Sequence, residues 1–422
     1  MKLAILSQYY PPEVGAPQAR LSEIAAQFVR RGHSVTVLTA MPSYPAGKIY
    51  PGYGGCFKRQ RIEGVEVIRT FIYPTKRADL VHRLTNYFSF VCSSASIGSA
   101  CLARPDYLLV ESPPLFTGLC GAWLSWFKRT RLIFNVSDLW PESAVRLGVL
   151  QTGSLAYRLS DSLEAFCYRR AWLITGQSKS IIADIRVRFP QLPTFYLSNG
   201  VDTQKFGPEL STHQARAMIA TNGECVVLYA GLHGLAQGLN QVLAVADMLQ
   251  ADKGICFTLI GDGPEKQELK TQAENRGLGN VRFLDARPAT ELPALVAAAD
   301  VALVMLKTEI PGAVPSKLYE AMASARPVVL VATGEAAAIV REHQAGITVA
   351  PGDTEGLAQA LQTLRANPEL RRTMGINGRH AVENQFERTK IVTRFIEYLE
   401  RQLSTASPRC LANAPNRGPG LN

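Results

Sequence analysis

The stretch Val226–Gly263, VVLYAGLHGLAQGLNQVLAVADMLQADKGICFTLIGDG, decides how the whole chain is read. It opens on an apolar run of strand length, Val226–Ala230, then places Gly231, Gly234 and Gly238 within eight residues. A helical pattern follows, and a second run, Phe257–Ile260, ends on Gly261-Asp262-Gly263-Pro264. Strand, helix, strand in this order is a parallel βαβ unit. Glycines at strand ends remove side-chain bulk and open backbone N–H groups to a phosphate. His233 and Gln237 share the first loop, and His233 is a candidate substrate contact. Pro264 suits the first turn of a following helix. A plain tight turn is the competing reading of each cluster; two at successive strand ends weigh against it.

The alternation extends in both directions. Upstream, strands are predicted at Leu3–Leu6, Val35–Leu38, Val65–Arg69, Tyr107–Val110, Leu132–Asn135, Leu173–Thr175 and Phe195–Leu197. Downstream they recur at Val281–Leu284, Val301–Val304 and Val328–Val331. Two series of that length exceed one ordinary sheet, and 422 residues suit two to three domains. The prediction is an α/β chain of two facing, doubly wound, Rossmann-like parallel-sheet domains, 1–200 and 201–386, joined near 199–208. A helix with its own apolar face (Ile391, Phe395, Tyr398, Leu399) is expected over 387–403. The Pro-, Gly- and Asn-rich segment 404–422 is predicted to be a disordered tail. Ligands of such sheets bind beyond the carboxyl ends of the strands, so the cleft between the domains is the expected site.

Hydrophobic residues make up 47% of the chain and charged residues 19%, which excludes disorder over most of its length and fibrous classes. The net charge of +10 is uneven. Residues 1–200 hold 23 Lys+Arg against 12 Asp+Glu, a net of +11; the remainder holds 22 against 23, a net of −1. A basic half points to an anionic partner or to a solvated surface, and charge alone does not choose.

None of the eight cysteines forms a C-x-x-C pair or a metal-like cluster, which argues for a reducing compartment and against structural zinc. The apolar N-terminal run is too short for a signal peptide. Leu84–Ala103 carries no charge and has spanning length, but Asn86 and its serines make it too polar to cross a membrane. An amphipathic helix with Leu84, Tyr87, Phe88, Val91, Ala95 and Leu102 on its apolar side is expected. Leu115–Phe127 sets Trp123, Trp126 and Phe127 beside Lys128, Arg129 and Arg131. That suits a membrane interface, or a core helix with a charged last turn, and both readings stand open.

Three further segments carry chemistry. In Pro315-Ser316-Lys317-Leu318-Tyr319-Glu320, Ser316 can cap a helix whose free N–H groups, with Lys317, could hold a diphosphate. Glu320, one turn on, can accept hydrogen bonds from both hydroxyls of a ribose. Solvated helix positions are the equal alternative for Lys317 and Glu320. In Asn135-Val136-Ser137-Asp138-Leu139-Trp140-Pro141-Glu142, Asp138 and Glu142 sit at a strand end, where an acceptor would meet a donor. Asp138 could orient or deprotonate an acceptor hydroxyl, or simply cap the turn before Pro141. Gly15, between the first strand and first helix, allows close approach of a ligand to a helix N-terminus; alone it is an ordinary βα turn.

Together these stretches, with SQYYPPEVGAPQARLSEIA, LTAMPSYPAGKIYPGY and SNGVD, resemble the retaining glycosyltransferases of family 4, with a GT-B fold, over about 400 residues. The set is most similar to the bacterial surface-polysaccharide branch that includes fucosyl- and N-acetylfucosamine transferases. The resemblance implies a hexosyl-type transferase that retains anomeric configuration and needs no metal or other cofactor. It implies a nucleotide-sugar donor, UDP-linked in our reading, on the C-terminal domain, and an acceptor on the N-terminal one. The implied acceptor is polyprenyl-diphosphate-linked or an oligosaccharide, met at the anionic inner face of the plasma membrane by a cytoplasmic, peripheral enzyme. By resemblance, Glu320 matches the second glutamate of the E-x7-E motif, Gly15 the loop near the donor phosphates, and Asp138 an N-terminal-domain active-site group. Gly231, His233, Gly234, Gln237, Gly238, Gly261, Asp262, Gly263, Pro315, Ser316, Lys317 and Leu318 complete the expected donor site. The helix over 387–403 is expected to cross back onto the first domain.

The chain departs from the pattern. The first glutamate of E-x7-E falls on Gly312, with Glu309 nearby at another spacing. The Arg and Lys that many relatives place after Gly231 are replaced by Leu232, His233 and Gln237. A sugar-nucleotide epimerase or hydrolase on the same scaffold is a second reading, and a non-catalytic binder of anionic glycans a third. Nucleic acid is not expected as a partner, because no aromatic-rich nucleic-acid motif accompanies the basic half.

Overall fold

A computed structural model describes residues 1–405 apart from 78, 147, 221 and 222. The first half contains β1 (Lys2–Leu6), α1 (Ala16–Arg30), β2 (Ser34–Ala40), β3 (Phe57–Ile62), β4 (Val65–Thr70), α2 (Leu80–Cys101) and β5 (Tyr107–Ser112). There follow α3 (Thr117–Lys128), β6 (Arg131–Val136), α4 (Glu142–Arg146), α5 (Leu155–Arg170), β7 (Leu173–Gly176), α6 (Lys179–Arg188) and β8 (Thr194–Tyr196). The eight strands form one sheet in the order β3-β4-β2-β1-β5-β6-β7-β8. Only β3 runs antiparallel to its neighbour.

Alternation within each strand builds a core on both faces. In β1, Ala4 and Leu6 point to the side of α2, α3, α5 and α6, while Leu3 and Ile5 point to the side of α1. The sequence reading missed β3. Its FKRQRI pattern is half exposed, as an edge strand with charged residues must be.

The second half contains α7 (His213–Ile219), β9 (Cys225–Ala230), α8 (Asn240–Met248), β10 (Ile255–Ile260), α9 (Lys266–Asn275), β11 (Val281–Leu284), α10 (Leu292–Ala298) and β12 (Val301–Met305). After these come α11 (Ser316–Ala323), β13 (Val328–Val331), α12 (Gly334–Glu342), β14 (Gly346–Val349), α13 (Thr354–Ala366), α14 (Pro368–Ala381) and α15 (Arg388–Ser404). The second sheet is all parallel, in the order β11-β10-β9-β12-β13-β14. In β9, Val227 and Tyr229 face one core, and Val226 and Leu228 the other.

The chain crosses between the sheets twice, at one point. Val201 N–H donates to Phe386 O at 2.9 Å, and Arg388 N–H to Val201 O at 3.0 Å. Gly200 has φ +52, and a β-carbon there would lie 2.5 Å from Phe386 O, so the crossing requires glycine. α15 then packs into the first domain, burying Ile391, Val392, Phe395, Ile396 and Leu399 with Leu3, Ile5 and Phe28. Tyr107 Oη donates to Leu399 O at 2.9 Å. Ser404 belongs to this helix rather than to a tail, and 406–422 lie outside the described residues.

α2 starts four residues earlier than Leu84, capped by the Asp79 carboxylate, which accepts from His82 N–H. Its buried stripe is Phe90, Ser94 and Gly98, with Phe88 outward. Ser94 is tolerated inside because its hydroxyl donates to Phe90 O at 2.6 Å. In α3, Cys120, Gly121 and Leu124 face inward while Trp123, Trp126 and Phe127 are exposed. Among the described residues no helix is long and apolar enough to cross a membrane.

Candidate active site

Lys317, the second residue of α11, reaches back over the end of β9. A methyl group placed on Gly231 would collide with Lys317 Cε and lie 2.6 Å from Nζ. Gly231 is thus the opening through which a cation meets the end of the strand. Its own N–H is spent on Ile260 O at 2.8 Å. The helix N-cap is Pro315, extended at φ −60 and ψ 134, with no side-chain cap. Ser316 is therefore not the cap predicted for it, because the helix begins at Ser316 itself. Its hydroxyl lies instead against the carboxylate of Glu320, one turn inward. Burial raises the Glu320 pKa, opposed by Lys317, the Ser316 hydroxyl and Arg388. Leu318 is fully buried in the core beneath, so it positions the helix and does not line the cleft.

The glycine loops divide their labour in a way the sequence did not separate. Gly261 and Gly263 have φ +150 and +154, and β-carbons there would strike the carbonyls of Gly231 and His233. They are packing glycines that let the second loop seat against the first. Asp262 joins them: its carbonyl accepts from His233 N–H at 2.9 Å, and its Oδ1 from Gly263 N–H at 2.8 Å. The His233 side chain is fully buried, between Tyr229 and Phe283, with ring centroids 5.9 and 6.2 Å away. Burial pushes its pKa down to about 4, so it is neutral. The expectation of a side-chain substrate contact from His233 is corrected: a buried ring shapes the loop and does not reach the cleft. Gln237 is half-buried with Oε1 unpartnered among the described residues. Gly234 makes room for that amide, and Gly238, at φ +64, packs on Lys307.

On the other side of the cleft, a buried polar network ends β5 and β6. Glu111 accepts from Arg20 Nη2 at 2.5 Å, from Ser137 Oγ at 2.5 Å and from Asn135 Nδ2 at 2.8 Å. Arg20 Nη1 also donates to Asn199 Oδ1 at 2.7 Å, beside the domain crossing. Asp138 follows this network, half-buried, and its carboxylate has no hydrogen-bond donor among the described residues. Its pKa is raised first by burial, then by the Glu111 charge, against the pull of Arg20. Sequence reasoning missed Arg20 and Glu111. An acid directly after the apolar run Tyr107–Val110 was the available signal for Glu111; Arg20, inside a helix, had none. Glu142 is exposed at the start of α4 and joins no ion pair among the described residues. Gly15 is the N-cap of α1, in ordinary extended backbone, with Gln18 Oε1, unpartnered among the described residues, within 2.5 Å of a would-be β-carbon.

The two carboxyl edges face each other. Gly312, in the loop after β12, has φ +74, and a β-carbon there would strike Ile181 and lie 3.0 Å from Ser178 Oγ of the first domain. That contact explains why a glutamate is missing at this position: it admits no side chain. Glu309 is held by Thr333 Oγ1 at 2.9 Å. Glu335 spans the domains, accepting from Lys179 N at 2.8 Å, Ser180 N at 2.7 Å and Ser180 Oγ at 2.6 Å. Arg388 bonds Glu23 at 2.6 Å and the Asn199 and Gly200 carbonyls at 2.8 Å each. Among the described residues no group of three His, Cys, Asp or Glu is arranged to hold a metal ion. The cleft therefore combines a lysine on a helix N-terminus, a carboxylate one turn inside it, and an unsatisfied carboxylate opposite.

Comparison with known proteins bears on the family and the fold. The family described as Glycosyl transferases group 1 matches residues 214–381, and the Glycosyl transferase 4-like domain matches 15–200. The chain is 25% identical over 350 residues to WcaI of Escherichia coli (strain K12), provisionally described as a colanic acid biosynthesis glycosyl transferase. That match covers 79% of this chain and 83% of the relative. In fold it is similar to sucrose-phosphate synthase from Thermosynechococcus elongatus, with a TM-score of 0.75 at 19% identity, covering 96% of this chain and 100% of that one. It is also similar to Anabaena Alr3699/HepE in complex with UDP and glucose, with a TM-score of 0.69 at 19% identity, covering 95% and 100%.

Proposed function

The chain belongs to the GT-B glycosyltransferases, with a 4-like first domain and a group 1 second domain, and from that premise we propose that it is a retaining hexosyltransferase of bacterial surface-polysaccharide synthesis. Its donor is a UDP-linked sugar, and its acceptor a lipid-linked or oligosaccharide chain. Within the family we place it on the branch of the fucosyl and N-acetylfucosamine transferases. The observation that carries the reading is Lys317 over Gly231 at the start of α11, with Glu320 one turn inside. Breaking a sugar–phosphate bond builds negative charge on the leaving diphosphate, and a fixed cation and a helix N-terminus stabilise it. Transfer in this reading needs no metal, since protein groups supply the positive potential. The UDP held by the similarly folded HepE supports the nucleotide. Glu320 takes the ribose, Asp138 the acceptor hydroxyl, and closure of the two domains keeps water from the sugar.

Glu320→Ala tests the donor assignment. A hydrogen bond to a charged group contributes about 1.5–3 kcal/mol, so the Kd for UDP is expected to rise roughly ten- to hundredfold in calorimetry. Wild-type affinity in that variant would overturn the ribose role.

The proposed enzyme works at an anionic membrane surface, as a peripheral protein on its cytoplasmic side. Trp126 is 65% exposed beside Trp123 and Phe127, and Lys128 Nζ lies 5.3 Å from the Phe127 ring. No acidic residue occurs from Leu80 to Pro105 or from Ser112 to Ser137, which include all of α2 and α3. Aromatics flanked by cations on adjoining helices suit anionic headgroups. The protein is expected to sediment with vesicles containing phosphatidylglycerol, to be released by salt, and to lose most of that binding in a Trp123→Ala/Trp126→Ala variant. Equal sedimentation with neutral and anionic vesicles would count against the surface.

A further inference from the structure

A cavity of about 220 Å³ opens on the carboxyl edge of the first sheet, on the β1-β2-β4 side. It belongs to none of the groups discussed so far. Gln8 and Tyr9 follow β1, Ser43 and Tyr44 follow β2, and Thr75 and Arg77 follow β4; Arg83, Asn86 and Tyr87 come from α2. Among the described residues no Asp or Glu lines it.

Its floor has an unused acceptor. Gln8 is 2% exposed, and its Nε2 donates to Asn86 Oδ1 at 2.9 Å and Tyr9 Oη at 3.2 Å. The Gln8 Oε1 has no partner among the described residues. A buried carbonyl left without a donor is unusual and costly, and a hydroxyl or N–H arriving with a ligand would satisfy it. Asn86 is itself fixed, its Nδ2 donating to Tyr73 O at 2.6 Å. Tyr9 and Tyr44 meet edge to face, with centroids 5.6 Å apart, and Tyr87 stacks on Phe116 at 5.7 Å. Burial holds the Tyr9 phenol protonated, as a donor. The wall carrying Tyr44 is braced by buried Glu13, which accepts from Ser43 N and Tyr44 N at 2.8 Å each. At the mouth, Arg83 pairs with no carboxylate among the described residues. The Arg77 guanidinium meets His82 Nε2 at 3.1 Å and pairs with no carboxylate among the described residues.

Tyrosine rings, fixed amides and an orphaned acceptor suit a hexose; unpaired guanidinium groups at the rim suit a phosphate. We infer that this cavity is the seat of the acceptor's sugar-phosphate end, with the hexose among Tyr9, Tyr44 and Tyr87, a sugar hydroxyl on Gln8 Oε1, and the phosphate on Arg83 and Arg77. The inference rests on the glycosyltransferase reading above and sharpens it to an anionic acceptor. The shared chemistry, a hexose phosphate ester, comes either from a lipid diphosphate or from a free sugar phosphate. The outward residues Leu80 and Val81 on α2, 70% exposed and one turn from Arg83, favour the lipid source.

Calorimetry on the full chain tests it with glucose, galactose and N-acetylglucosamine 1-phosphates, their decyl-diphospho counterparts, the parent sugars and inorganic phosphate. At least one phosphorylated probe is expected to bind tenfold or more tightly than both its parent sugar and phosphate. Arg83→Gln, at an exposed position that leaves the core untouched, is expected to weaken that binding at least tenfold with UDP affinity unchanged. Gln8→Leu is expected to weaken both phosphorylated and plain sugars. Tighter binding of the decyl-diphospho form assigns the lipid source; equal binding assigns the free one. No binding by any probe, or binding indifferent to both variants, overturns the inference. Loss of UDP binding in the unmodified protein strikes the donor reading instead, and leaves the cavity result standing on its own.

Discussion

Lys317→Ala is expected to lower kcat/KM for transfer by about 10²–10³ while the protein melts as before. The side chain ends over Gly231 at the first turn of α11, where Pro315 leaves the helix N-terminus without a side-chain cap. A cation there already meets the anionic diphosphate of the bound donor. Its interaction grows as the sugar–phosphate bond stretches and further charge moves to the diphosphate, so its loss falls more heavily on the transition state than on donor binding. Gly231→Ala separates charge from position. The added methyl keeps the lysine but displaces its end, because Cε occupies the space the methyl needs. Gly231 lies outside the left-handed region, so alanine there meets no backbone strain. Most of the same rate loss with unchanged melting is expected for this variant as well. Steady-state kinetics on both decide the matter: a Gly231→Ala enzyme at wild-type rate would remove Lys317 from the diphosphate.

Much of this fold was legible because parallel strands buried on both faces read as bare apolar runs, and every run named in the sequence became a strand. β3 stayed hidden for the converse reason: an edge strand of Lys, Arg and Gln has no apolar run to find. β14 was missed because Gly346 and Thr348 interrupt its pattern. The candidate site was legible where it rests on local spacing, as in Lys317 and Glu320 on one short helix. It was illegible where groups meet across the sheet. Arg20, Glu111 and Asn199 are far apart in sequence and join only because β1, β5 and β6 are neighbours and α1 lies over them. The glycines show the same limit. A strand-end glycine reads alike whether it frees space for a lysine, as Gly231 does, or for another loop's carbonyl, as Gly261 does.

Asp138→Asn is expected to act in two opposite directions, cutting transfer by about 10²–10⁴ and raising the melting temperature at neutral pH. The carboxylate is half-buried, has no hydrogen-bond donor among the described residues, and faces Glu111. Burial and that like charge raise its folded pKa above the unfolded value of about 3.9. Between those two values the native state holds more protons than the unfolded chain, so stability falls as pH rises. The penalty is complete above the folded pKa and absent below the unfolded one. Asparagine removes it, so the gain in melting temperature is expected to be largest at pH 7.5 and to shrink towards pH 4. A carboxylate held at a cost in stability is retained for what it does when ionised, which here is to take the acceptor's proton or fix its hydroxyl. Thermal unfolding at several pH values, with transfer assays on the same samples, reads both effects. A melting gain independent of pH would mean that Asp138 is not the strained carboxylate of the cleft. Unchanged transfer would mean that its strain serves the fold and not the chemistry.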